Sequence, residues 1–565
     1  MTVRLRIVAV LAVFAVPAGM LAAEPIATPD PAATPDPAAE PAATPDPAAT
    51  PDPADAIAVL IDRHLEADWA ARGIKPTVPA DDAEFVRRVY LDLIGRIPRL
   101  AEARDFVDDP APDKRKRLVE RLLGMPGFAQ HFAAVTRAAW LPQTLTNVQF
   151  ANAGYQFENW LRQRFRENTP ADVLVRRLLT VPLAVNAQNP QLRFIQGDLN
   201  DPESWTLIGF YQANEARAEN LGAAVSRLFL GVKLECAQCH DHPFNRYTRE
   251  QFWEFAAFFA ELNPVPVTPP GFVGPLPPQA DRNRLRVGSS DKIVTARFFD
   301  GSSPEWTADR DPRTELADWL TRPSNPYFAR NLVNRMWAHF FGYGILDPVD
   351  EPGDNNAPTH PALLDELARA FVAAKFDNRV LIRGIVRSRA YQLSSKLTHP
   401  SQADPRRFAR MNLKGLTAAQ LFDSLVAATG HREPGFMRQN PYPFYPQPNN
   451  PRSQFLNRFA SHDRAAETNT TTLQALMLMN GQFITDVTSL EKGEVLGAIA
   501  DMPGWDTRQR VTALFLTAFA RPPRPDELDR FVSYVDRGGA TGDPKKALAD
   551  VFWVLLNSPE FLFNH

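Results

Sequence analysis

The sequence predicts a mainly α-helical protein of two helical domains, joined by a Pro/Gly-rich segment with a short β hairpin. Three observations support this fold class. Apolar residues recur at helical spacing through residues 55–262. The pattern stops in residues 263–311, which are rich in proline and glycine, and it resumes in residues 312–565. Since 44% of the 565 residues are hydrophobic, the chain can bury more than one core.

Residues 1–23 have the features of a secretory signal peptide. Arg4 and Arg6 precede an apolar run, and Ala22 and Ala23 offer a small-residue cleavage site. Retention as a membrane anchor is the alternative, but the run is shorter than the roughly 20 residues that a spanning helix needs. We therefore expect export to the periplasm or the cell surface, with no transmembrane span after cleavage.

Residues 24–54 form a low-complexity linker in which the unit T-P-D-P recurs. The repeated prolines forbid a helix and remove the amide donors that a sheet needs. We therefore expect an extended, solvated spacer between the signal peptide and the first folded domain.

The first helical domain is predicted over residues 55–262, and its apolar stripes have the period of a helix. One stripe consists of Phe85, Val86, Val89, Tyr90 and Leu93. A helix start is predicted at Thr169 and Pro170, with Asp172 as an acid in the first turn.

The connecting segment, residues 263–311, contains one short run with the alternation of a strand. The run consists of Ile293, Val294, Ala296 and Phe298. In the second domain, residues 312–565, Thr417 and Gln420 have the spacing of a capping box and predict another helix start.

The charge balance makes nucleic acid an unlikely class of partner. The chain has 62 Lys and Arg against 65 Asp and Glu, for a net charge of -3. Proteins that bind DNA or RNA carry a basic footprint, which is absent from this composition. A redox partner protein or other surface proteins are the partners we expect.

The two cysteines of the chain both lie in residues 235–244, which read E-C-A-Q-C-H-D-H-P-F. Cys236, Cys239 and His240 form the Cys-x-x-Cys-His pattern of c-type haem attachment. On one helical turn, this spacing puts both sulfurs on the same face to bond the haem vinyl groups. The imidazole of His240 then becomes the proximal ligand of the haem iron. We therefore predict a covalently bound haem c.

Two other chemistries fit the same residues. Cys236 and Cys239 can form a disulfide or a redox dithiol, although a thioredoxin-type site expects a βαβ setting. With His240 and His242 they can also form a zinc site, although adjacent ligands at positions 239 and 240 strain a tetrahedron. Export favours haem, because c-type haem is attached outside the cytoplasm.

The sixth ligand of the iron has to come from outside residues 243–335, which contain neither His nor Met. We rank His360 first, because it precedes a predicted helix start beside a polar loop, and His339 second. The other candidates are His64, Met125, His131, Met336, Met477, Met479 and His565. An open sixth position is the alternative.

An acidic loop precedes the predicted helix start near Thr359. It gathers the oxygen-bearing side chains Asp347, Asp350, Glu351, Asp354, Asn355 and Asn356. Calcium binding has weak support here, because the spacing differs from an EF-hand and turn chemistry explains the same residues. Arg335, in the aromatic stretch before this loop, is expected to pack in the core, and pairing with an acid or a haem propionate is the alternative.

The stretch around the cysteines resembles a planctomycete family of exported cytochrome-c-like domains. Its pattern is F-L-G-V-x-L-x-C-A-Q-C-H-D-H-P-F followed by aromatic residues, and residues 222–259 carry it. FVRRVYLDLIGRIP at 85–98 and FENWLRQRF at 157–165 are similar to earlier blocks of that family. Segments at 311–368, 390–395, 470–483 and 552–565 resemble the planctomycete surface domain that accompanies it.

This resemblance implies an architecture rather than a defined activity. Many such chains carry a further cytochrome-like module near the N-terminus, where this chain has the T-P-D-P linker. The sequence thus predicts a single haem in an exported protein of electron transfer, or in a redox subunit. The alternatives are a surface binding or scaffold protein with a metal or disulfide staple, and an enzyme with a five-coordinate haem.

Overall fold

The computed structural model describes most of the chain from residue 52 onwards. The described ranges are 52–146, 148–185, 195–197, 201–242, 245–262, 282–288, 290–307, 310–353, 356–431, 451–459 and 481–565. The signal peptide, most of the linker, and the candidates Met477, Met479, Asp354 and Asn355 lie outside these ranges.

The fold is mainly α-helical, as predicted. The helices before the connecting segment are α1 Pro53–Arg72, α2 Asp82–Ile94, α3 Leu100–Val107, α4 Lys114–Gly124, α5 Pro126–Trp140, α6 Gln143–Thr146, α7 Val148–Arg166, α8 Ala171–Leu179, α9 Pro202–Ala213, α10 Ala218–Val225 and α11 Arg249–Ala256. Between α10 and α11 lie a π-helix, Ser226–Leu230, and a 3-10 helix, Leu234–Ala237, and a second 3-10 helix, Ala257–Leu262, follows α11.

Helices also dominate the chain after the connecting segment. They are α12 Pro312–Leu320, α13 Phe328–Phe341, α14 Pro361–Ala373, α15 Asn378–Arg387, α16 Ala418–Thr429, α17 Pro451–Phe459, α18 Gln482–Val487, α19 Glu494–Ala500, α20 Thr507–Phe519, α21 Pro525–Asp536, α22 Pro544–Leu556 and α23 Pro559–Leu562. Short 3-10 helices span Pro400–Gln402 and Pro405–Arg407.

The strands form short antiparallel pairs. β1 Leu183–Val185 pairs with β2 Ile195–Gly197. β3 Arg284–Arg286 pairs with β4 Ile293–Thr295, which confirms the predicted hairpin. β5 Lys414–Gly415 pairs with β6 Phe563–Asn564, and this pair brings two segments together that lie far apart in the sequence.

One predicted helix start agrees fully with the structure, and the other differs from it by one residue. The Thr417 side chain accepts from the Gln420 amide, and the Gln420 side chain accepts from the Thr417 amide, as a capping box requires. At α8 the N-cap is Pro170 itself, one position earlier than a first-turn proline, and Asp172 lies in the first turn.

The apolar core of the described residues has two clusters. The first runs from Ile57 to Met411 and so includes helices on both sides of the connecting segment. The second collects residues 416–561 and adds Leu91 and Ile97 from the N-terminal half. The described residues from 52 onwards therefore belong to one compact unit.

A buried polar network on α2 joins the two ends of this unit. The Arg87 guanidinium donates to the carbonyl oxygens of Ala518 and Phe561, at 2.9 Å each. Arg88 donates to the carbonyl of His565 at 3.1 Å. In the described part of the chain, no helix combines the length and the apolar character needed to cross a bilayer.

Candidate functional site

The segment that leads to the cysteines changes helix type twice. α10 widens into the π-helix Ser226–Leu230, which ends at Gly231 with a φ of 69°. Glycine is required here for two reasons, because this φ is left-handed and because a Cβ would come within 2.7 Å of Asn331 Oδ1. The close approach sets the direction in which the chain enters the motif.

The motif itself begins in the 3-10 helix Leu234–Ala237. Leu234 and Ala237 are fully buried, whereas Cys236 and Cys239 are exposed with free thiols. Residues three apart lie on the same side of a tight helical turn. The turn is therefore anchored in the core by one pair of residues and presents both sulfurs to solvent by the other.

His240 is exposed directly after the second cysteine. Its Nδ1 lies 2.7 Å from the carbonyl oxygen of Asp241. A carbonyl oxygen only accepts, so Nδ1 carries the proton, and the lone pair of the neutral ring lies on Nε2. This is the state in which an imidazole ligates a metal through Nε2.

α11 holds the other side of the motif. The Gln238 carbonyl accepts from the Trp253 indole at 3.1 Å and from Arg249 Nε at 3.3 Å. The Asp241 carboxylate accepts from the Arg249 amide at 2.8 Å, at the first residue of α11. Because Trp253 is buried, it ties the motif to the core.

His242, the fourth candidate ligand of a zinc site, packs against Tyr247. Its amide donates to the Tyr247 carbonyl at 2.8 Å, and its ring meets the Tyr247 ring edge-on at 6.1 Å. Within the described ranges, no three His, Cys, Asp or Glu side chains are grouped closely enough to hold a metal ion.

Glu235 places a carboxyl group directly before Cys236. Burial raises its pKa above the usual range, and Arg227, with Nε 3.9 Å from Oε1, only partly offsets this. Among the described residues, its buried Oε2 has no hydrogen-bond donor.

The acidic loop lies against the motif. The Asp350 carbonyl accepts from the Lys233 amide at 2.9 Å, and the Glu351 carboxylate is 3.3 Å from Lys233 Nζ. The Asp350 carboxylate is 3.6 Å from Arg335, so this arginine pairs with an acid, which is the alternative to core packing. Two of the four carboxylates considered for calcium, those of Asp350 and Glu351, thus face basic groups. The Asn356 amide donates within the loop, to the Pro348 and Glu351 carbonyls.

The first-ranked sixth-ligand candidate lies elsewhere in the core. His360 is buried, its Nδ1 is 3.0 Å from Thr359 Oγ1, and its Nε2 is 3.3 Å from the Asp68 carboxylate. Burial lowers its pKa, against the attraction of Asp68. Its ring packs on Phe408.

His339 and His131 pack together in another part of the core, with ring centroids 5.8 Å apart. His339 Nε2 lies 3.0 Å from the Asp92 carbonyl oxygen, and burial lowers the pKa of both rings. Of the remaining candidates, His64 pairs with Glu366, Met125 and Met336 pack against the first core cluster, and His565 lies at the buried C-terminus. In the described structure, no recorded contact joins these candidates to His240, and the identity of a sixth ligand stays a prediction.

Sequence reasoning missed Asn331, and it singled out Arg335 without its contact to the π-helix before the motif. Asn331 and Arg335 lie one turn apart on α13 and bond to the π-helix. The available signal is their spacing at positions i and i+4 of the stretch 328–341, which places them on one helix face.

The fold and the site together define a helical protein with an exposed Cys-x-x-Cys-His turn. Residues 60–264 match the family model PSCyt2, described as a protein of unknown function (DUF1549). Residues 312–535 match the model PSD1, also described as a protein of unknown function (DUF1553). The two matches stand in the order of a planctomycete-type pair, and neither description assigns an activity. No curated protein and no solved structure matches the chain significantly.

Proposed function

We propose that the protein is an exported c-type haem protein that acts in electron transfer or as a redox subunit at the cell surface or in the periplasm. Haem is bonded to Cys236 and Cys239, and His240 is the proximal ligand. The observation that carries the proposal is the exposure of these three side chains on one turn whose other face is buried.

The donor set fits this group. Both thiols are free, so each can form a thioether with a vinyl group. His240 Nδ1 donates to the Asp241 carbonyl, which fixes the ring and leaves Nε2 as the ligating atom. When bound, haem supplies reversible one-electron exchange.

The position of the turn favours electron transfer over catalysis in a closed chamber. Cys236, Cys239 and His240 are all exposed, so a partner protein can approach a group that is bound there. A haem that is only partly buried keeps one edge at the surface, and an exposed edge is sufficient for one-electron exchange with a partner protein. His360 and His339 remain the proposed sixth ligands, since an imidazole can bind iron through one ring nitrogen while the other keeps a hydrogen bond.

The test is haem staining after denaturation. The full chain, exported by cells with a c-type haem ligation system, should keep a peroxidase-active band on a denaturing gel, because thioether bonds survive unfolding. Cys236→Ala with Cys239→Ala should abolish the band.

His240→Ala and His242→Ala make a matched pair for the proximal ligand. The two histidines are two residues apart, but only His240 has the proposed role. His242→Ala should keep the wild-type absorption spectrum of the bound haem, whereas His240→Ala should change it or prevent attachment. An exported wild-type protein without haem would overturn the proposal in favour of a metal or disulfide staple.

A further inference from the structure

Side chains from the second half of the chain donate hydrogen bonds to carbonyl groups of the π-helix before the motif. The last carbonyl groups of a helix lack partners within it. Here Asn331 Nδ2 donates to the Leu228 carbonyl, and Arg335 donates to the Arg227 carbonyl, both at 2.6 Å. Both donors belong to α13.

Asn331 and Arg335 act as one unit, because they are four residues apart on the same helix face. Asn331 Oδ1 accepts from Arg335 Nε at 3.2 Å. The same oxygen would lie only 2.7 Å from a Cβ at Gly231, which is too close for a side chain there. The glycine that ends the π-helix therefore allows this helix to approach closely enough for both bonds.

The acidic loop supports the segment from the other direction. The Asp350 carboxylate is 3.6 Å from Arg335, and the carbonyl of the same residue accepts from the Lys233 amide at 2.9 Å. Asp350 thus connects the arginine on α13 to the residue just before the 3-10 helix of the motif.

The charge of Arg335 makes these contacts energetically significant. Burial lowers its pKa to about 10, and the attraction of Asp350 opposes this shift. The guanidinium is therefore still charged at neutral pH. The side chain is mostly enclosed, with 19% of its surface exposed, and an enclosed cation that loses its partners is expensive, so this geometry is favoured over a displaced one.

We propose that Asn331, Arg335 and Asp350 are positioning residues that fix the conformation of the Cys-x-x-Cys-His turn. The region that matches PSD1 thereby controls the site carried by the region that matches PSCyt2. The significance for haem rests on the proposed function, but the positioning itself is measurable on protein without haem.

The test is hydrogen exchange of residues 231–240 in the haem-free full chain. Loss of a charged hydrogen bond of about 1.5–3 kcal/mol predicts local exchange that is about tenfold faster or more in Arg335→Met. Asn331→Ala, which keeps the charge pair, should have a smaller effect in the same direction. It also serves as the second variant if Arg335→Met does not fold.

Arg313→Met is the matched control. Arg313 is another buried arginine, and it donates to the Val181 carbonyl at 2.9 Å and to Asp311 at 2.8 Å. Arg313→Met should leave hydrogen exchange in residues 231–240 at the wild-type rate. The proposal is overturned if Asn331→Ala and Arg335→Met exchange like wild type there, or if Arg313→Met accelerates the segment equally. Neither result depends on whether haem is attached.

Discussion

Asp92, on α2, accepts three hydrogen bonds while 1% of its surface is exposed. The donors are Lys414 Nζ at 2.6 Å, the Tyr391 hydroxyl at 2.8 Å and Asn564 Nδ2 at 2.7 Å. Lys414 is also buried, so its ammonium depends on this carboxylate and on the Phe340 carbonyl at 2.8 Å. A single side chain thus holds four distant parts of the sequence together.

Asp92→Ala should lower the free energy of unfolding by about 3–5 kcal/mol, because it leaves the Lys414 ammonium buried without its carboxylate. Denaturant unfolding measures the loss. Adding Lys414→Met should recover part of it by removing that charge. Asp365→Ala, which breaks the exposed pair with Arg330 at 3.1 Å, is the control and should cost at most about 1 kcal/mol.

For single residues, the sequence predicts contacts only between residues that are close together in the chain. Cys236, Cys239 and His240 are adjacent in the chain, so their spacing alone predicts a shared turn. The bond from Arg335 to the Arg227 carbonyl joins residues more than a hundred positions apart, and only the fold brings them together. The preference for His360 assumed a projecting ring, whereas the structure shows that ring buried beside Asp68.

α2 is the element that ties the C-terminus to the rest of the chain. Arg87 is completely buried, and its guanidinium donates to carbonyls at the end of α20, along α23 and in β6. Three of these acceptors, the carbonyls of Glu560, Phe561 and Phe563, lie just before Asn564. The arginine therefore closes the C-terminal helices onto the N-terminal half.

Arg87→Lys should destabilise the protein by about 2–3 kcal/mol, because an ammonium cannot match the several acceptors that the planar guanidinium reaches. The midpoint of denaturant unfolding reports the change. Arg63→Lys, at an exposed pair with Glu366, should leave the midpoint almost unchanged. Equal midpoints for wild type and Arg87→Lys would refute this role.

Helices and their starts were the most predictable elements, since capping residues and apolar spacing act within one turn. The β3–β4 hairpin was predictable for the same reason. The π-helix at 226–230 was not, because its widened turn depends on Asn331 and Arg335. Neither was the β5–β6 pair, whose strands lie far apart in the sequence.

Across the whole molecule, several wholly or partly buried histidines have lowered pKa values. Burial lowers the pKa of His131 to about 3 and that of His565 to about 4, from an ordinary value of 6.5. Lys414 and His339 add to the shift at His131. Below pH 6.5 the unfolded chain therefore binds protons that the folded chain excludes.

Stability should accordingly fall as the pH drops from 6.5 towards 4. His131 and His565 should each contribute about 2 kcal/mol to the loss between pH 7 and pH 5, since one pKa unit corresponds to about 1.4 kcal/mol. Denaturant unfolding at a series of pH values measures the slope. His131→Gln should reduce the slope, and a flat profile between pH 7 and pH 5 in the wild type would contradict the account.

The mass of the peptide that contains both cysteines is the most direct test of the proposed covalent bonds between haem and Cys236 and Cys239. Cleavage after Lys233 and Arg246 releases residues 234–246, which contain Cys236, Cys239 and His240. From full-length protein exported with a haem ligation system, this peptide should carry the added mass of one haem. The same peptide found at its unmodified mass, or two hydrogens lighter as a disulfide, would contradict the claim.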